Sequence, residues 1–140
     1  MARLWIPLCA LGLTPIAWAQ EPLVANPSFE EGDTGPTGWT LTGQGSWETG
    51  GHTGERCIRA TGAGEDETRW RMPVALEPRG VYRVSFWARR LPGAAGGLLV
   101  TGPEFANRDF AGTTEWQRYS FAFRVPEDQP ETTLHFGQWY

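Results

Sequence analysis

The stretch that most constrains the fold is residues 81–89. Tyr82, Val84, Phe86 and Ala88 alternate there with Arg83, Ser85, Trp87 and Arg89. A repeat of two is the period of an extended strand with one face buried, and it cannot serve one face of a helix. No stretch of helical apolar spacing occurs elsewhere. Eighteen glycines and eleven prolines in 140 residues punctuate the chain too often for long helices. The expectation is an all-β protein.

Further short alternating runs lie at 39–42, 46–49, 56–61, 70–76, 97–101, 116–125 and 132–139. Turn residues separate them, as at Gly43-Gln44-Gly45, Gly50-Gly51, Gly62-Ala63-Gly64, Pro78-Arg79-Gly80 and Pro92-Gly93. About eight short strands at this spacing predict a two-sheet sandwich in one domain. Parity assigns the faces. Tyr119, Phe121, Phe123 and Val125 form one core row and Leu134 with Phe136 another, which turns His135, Gly137 and Trp139 outward. Trp87 falls on the non-core face between Arg83 and Arg89: either it lines an open groove or a loop covers it. Trp70 shares parity with Met72 and Val74, so it packs inward or lines one groove end. Trp47 reads either way. The segment 103–110, with Phe105, Asn107 and Phe110, is either a source of side contacts to a ligand or a self-packed loop.

Residues 1–19 read as a secretory signal. Arg3 precedes an apolar run from Leu4 to Leu13, and Ala17-Trp18-Ala19 is a small-x-small cleavage site. The run is too short to span a bilayer, so the mature domain, 20–140, is expected outside the cell membrane, extracellular or periplasmic, with no membrane partner. Cleavage leaves Cys57 without an intramolecular partner, most simply a small buried strand residue. With 12 basic and 16 acidic residues and no basic run, nucleic acid is an unsuitable partner. Every basic residue is arginine, whose planar fork suits hydroxyl-rich and carboxylate ligands.

A catalytic constellation is not legible. Glu65-Asp66-Glu67 sits on a glycine-rich turn that cannot hold two carboxyls at a fixed separation. His52 and His135 lack zinc spacing, and no serine occupies a Gly-x-Ser-x-Gly elbow. The chain is expected not to be an enzyme.

Three segments carry a family resemblance: Asn26-Pro27-Ser28-Phe29-Glu30-Glu31-Gly32 followed by Gly38-Trp39, then Tyr82-Arg83-Val84-Ser85-Phe86-Trp87-Ala88-Arg89, then Thr114-Glu115-Trp116-Gln117-Arg118-Tyr119-Ser120-Phe121. In this order they resemble the carbohydrate-binding modules with a galactose-binding-like jelly roll that are attached to secreted glycoside hydrolases. The resemblance implies a two-sheet jelly roll that binds polysaccharide in a concave aromatic groove, with a glycoside hydrolase domain as a partner in a longer form. Trp87, Arg89, His135 and Trp139 would line that groove, with Trp70, Phe105 and Asn107 as second choices. It also implies one structural calcium ion, held by Glu30, the Ser28 carbonyl, and backbone oxygens of Thr53 and Arg56; a surface carboxylate is the plain alternative for Glu30. Two departures stand out. Glycine comes one place late in Pro78-Arg79-Gly80, and the chain ends at Tyr140 where the family continues into a closing strand with an Asp-Asp-Val sequence. The expectation is therefore a jelly roll apparently lacking its last strand, which leaves the calcium site short of an aspartate. From a different class, the alternative is a structural or adhesive β-sandwich of an exported surface protein, its groove filled by its own side chains.

Overall fold

A computed structural model describes residues 23–61, 68–94 and 98–139, without the side chains of 98–100 and 139. The expected signal segment and the Glu65-Asp66-Glu67 cluster lie outside the described residues. The elements run β1 (Thr40–Thr42), β2 (Gln44–Thr49), β3 (Arg56–Thr61), β4 (Thr68–Ala75), β5 (Val81–Ala88), β6 (Leu98–Pro103), a 3-10 turn (Glu104–Ala106), β7 (Arg108–Phe110), β8 (Gln117–Arg124) and β9 (Glu131–Trp139). The fold is all-β, as the alternation required. Residues 23–26 form bends. The segment 103–110 is not an open loop either: it finishes β6, makes the short turn and forms β7.

One sheet has five antiparallel strands in the order β1-β4-β9-β6-β7, and two antiparallel pairs, β2-β3 and β5-β8, stand apart from it. The inner face of the large sheet supplies Trp39, Trp70, Met72 and Leu134, all buried. Ile58 and Trp47 from the first pair and Val84 from the second pack against this cluster, so both pairs cover the same face, as in a β-sandwich. Phe86 closes the layer, edge-on to Phe136 at 5.1 Å and Phe110 at 5.8 Å. Tyr119, Phe123 and Val125 are buried in the row their parity assigned.

Between the two pairs runs a cleft of about 1150 Å³. Residues 56–61 of β3 and the whole of β5 line it, and Leu134, Phe136, Gly137 and Gln138 enter from β9. The cleft thus lies between β3 and β5, with the large sheet beneath it.

The opening motif is a clasp. Asn26 and Phe29 adopt positive φ, 46° and 62°. The Asn26 side chain compensates by donating to the Glu31 carbonyl at 2.8 Å and accepting from its N–H at 3.1 Å. The Phe29 carbonyl accepts the indole N–H of Trp47 at 2.7 Å, and its ring meets Trp39 at 5.0 Å. This motif fixes the chain's entry into the domain.

Candidate functional site

The exposed aromatic surface is built by three separate elements. Parity along β5 turns Trp87 away from Phe86 and the core, and Trp87 is 44% exposed. The turn after β2 lays the His52 ring against it, stacked at 3.7 Å between centroids and 11° between planes. Trp116, just before β8, meets His52 edge-on at 5.9 Å, and the Arg89 guanidinium lies 5.0 Å over the Trp116 ring. These four residues stand together at the wall of the cleft. The arrangement presents flat carbon faces next to a cation with forked donors, a surface for ring C–H patches and hydroxyls.

The position of His52 is set from a distance. Oε1 of Glu30 accepts the backbone N–H groups of Glu55 and Arg56, each at 3.0 Å, and so pins the 52–56 turn. Gly54, at φ 87°, lies so close that any side chain would collide with this carboxylate. The predicted calcium ligands Glu30, Thr53 and Arg56 are thus neighbours, but the contacts formed are N–H to carboxylate. A cation at Oε1 would face two N–H dipoles with their positive ends toward it, so these residues do not fit calcium at that oxygen. Among the described residues no group of three or more His, Cys, Asp or Glu side chains gathers for a metal.

The four residues expected in one groove are divided between two sheets. Trp87 and Arg89 belong to the β5 side, whereas His135 and Trp139 lie on β9 of the five-stranded sheet. The Trp139 side chain is outside the described residues. His135 is turned away from Leu134 and Phe136 as parity requires, yet it is only 1% exposed. Burial and the neighbouring Arg69 push its pKa down to about 4, with Glu104 pulling the other way, Arg71 adding to the fall and the Thr133 backbone opposing it. Trp70 goes to the core, 5% exposed, its indole N–H donating to the Arg59 carbonyl at 2.9 Å. That packing removes it from any sugar-facing row. Phe105 packs edge-on against Phe123 at 5.7 Å and Asn107 ends the short turn, so the self-packed alternative describes this segment.

His52 and Trp116 were missed as site residues. No local pattern marks them, since each reaches Trp87 through tertiary packing. Cys57 carries a thiol whose pKa is raised by burial and by Glu48, with Arg89 opposing and Glu30 adding, so it is a poor nucleophile.

Fold and cluster define a β-sandwich with an aromatic, arginine-flanked surface. The chain belongs to the carbohydrate binding domain family, whose model matches residues 21–137. A comparison with curated proteins finds no match.

Proposed function

We propose that this domain binds a polysaccharide non-catalytically through the Trp87 platform, and that it is exported and works beside glycoside hydrolysis. The observation that carries the reading is the 44% exposure of Trp87 on a rigid strand, within a cluster of His52, Trp116 and Arg89. A large aromatic ring left in water gives up a few kcal/mol of burial, which a ligand's apolar patch recovers in part. Its strand is held by eight residue pairs with β8, so little entropy is lost when a sugar arrives.

One observation favours a second reading. His52 already covers one face of the Trp87 ring, as in a structural or adhesive sandwich that fills its own groove. Calorimetric titration against soluble β-glucans and xylans separates the two. The platform predicts dissociation constants on the order of 10 µM to 1 mM, because few side chains meet each sugar and hydroxyl desolvation offsets stacking. Trp87→Ala should remove that binding and leave the fold intact, while Phe86→Ala should cost about 3 kcal/mol of stability. Unfolding of Trp87→Ala, or no glycan binding by the intact protein, would transfer the case to the structural sandwich.

A further inference from the structure

The face of β5 that presents Trp87 also presents charge of a single sign. Parity places Arg83, Ser85, Trp87 and Arg89 together, and all four are exposed. β8 adds Arg118, directly across from Trp87 and exposed as well. At about 3.4 Å per residue, Arg89 stands about 7 Å to one side of Trp87 and Arg83 about 13 Å to the other. Arg59, exposed on β3, borders the cleft from the opposite wall. The tryptophan thus lies in a field of guanidinium groups that solvent reaches.

This sign runs against the rest of the chain. The sequence holds 12 basic and 16 acidic residues, yet neither β5 nor β8 contains a carboxylate. An ordinary surface intersperses both signs. Among the described residues Arg83, Arg89 and Arg118 form no ion pair. Arg118 reaches the Ser85 hydroxyl at 3.5 Å, and Arg89 lies over the Trp116 ring. Glu48, the carboxylate in the lining of the cleft, belongs to β2 and accepts the Ser46 hydroxyl at 2.8 Å. Grouped arginines without counter-charges repel one another and draw an anion to the groove they line.

We propose that the Trp87 platform takes an anionic polysaccharide. One sugar ring packs on Trp87 while acidic groups along the same chain meet Arg83, Arg89 and Arg118. A guanidinium fork donates to paired oxygens of an acidic group, so a uronate chain and a sulfated chain share the chemistry. The inference deepens the carbohydrate reading and rests on it: the ring on Trp87 gives position, and the arginines select for charge.

Calorimetry on the intact protein tests this with two matched pairs: polygalacturonate against the same polymer fully methyl-esterified, and dextran sulfate against dextran. In at least one pair the acidic polymer should bind about tenfold or more tighter, the difference charge-assisted hydrogen bonds supply. Which pair responds tells uronate from sulfate. Raising sodium chloride from about 0.05 M to about 0.5 M should weaken the acidic polymer and spare the neutral one, because screening acts on charge alone. Arg83→Gln combined with Arg118→Gln should bring the acid-to-neutral affinity ratio toward one, and Trp87→Ala should weaken the acidic polymer too. Poly-glutamate, which carries charge without a sugar ring, should bind about tenfold or more weaker than the acidic glycan. Equal affinity within both pairs would overturn the proposal and leave the Trp87 platform standing. Poly-glutamate binding as tight as the glycan, or full acid binding by Trp87→Ala, would overturn it as unselective attraction of polyanions. If the double variant fails to fold, the paired polymers and the salt series on the unaltered protein decide. No binding of any glycan would sink the platform itself, and this proposal with it.

Discussion

His135 shows how far one residue's environment can depart from its place in the pattern. Alternation turned it outward correctly, but outward on β9 is not exposed, because the neighbouring β4 brings Arg69 and Arg71 to the same face. The consequence is a pH dependence of known sign. The pKa falls from 6.5 to about 4 on folding, so between those values the unfolded chain holds a proton that the folded chain does not. Stability from this group is full above pH 6.5 and is lost as pH falls toward 4, by at most about 3 kcal/mol. Carboxylates titrate nearby in pH, so the measurement is a difference. Urea midpoints of the wild type and of His135→Leu, compared from pH 4 to 7, should show a steeper acid loss in the wild type. Parallel curves would mean that His135 is not held neutral.

Among the elements, the strands were legible and their grouping was not. Eight runs fall within a few residues of their strands because each alternates and is bounded by glycine or proline, whereas β7, three residues long, offers too short a pattern. The core rows on β5, β8 and β9 followed from parity alone. Sheet membership is a non-local fact: nothing within residues 81–89 or 131–139 reveals that β5 pairs with β8 while β9 sits between β4 and β6. His135 stays out of a common groove with Trp87 because it faces away from the cleft that Leu134 and Phe136 border. Turns behave similarly. The 52–56 turn looked like a source of carbonyl ligands, and it instead donates two N–H groups to Glu30. Glu30→Ala should free this turn and displace His52 from Trp87, costing about 1 kcal/mol of stability. It should also weaken glycan binding, although Glu30 is remote from the platform. Calorimetry on the variant checks both effects, and unaltered affinity would show that His52 needs no clasp.

At the scale of the molecule, the five tryptophans whose side chains are described lie in very different surroundings. Trp39 and Trp70 build the core, Trp47 is tied to the entry clasp, and Trp87 and Trp116 face the cleft's outer wall. The carbohydrate binding domain family supplies the ligand class, and the exposed cluster is the place proposed for it. The most direct test records indole N–H resonances of the labelled protein during titration with a soluble glycan that binds it. Binding at the platform predicts progressive shifts for Trp87 and Trp116, with Trp39 and Trp70 unmoved. Shifts confined to other indoles, or none at saturation, would contradict a sugar site at Trp87.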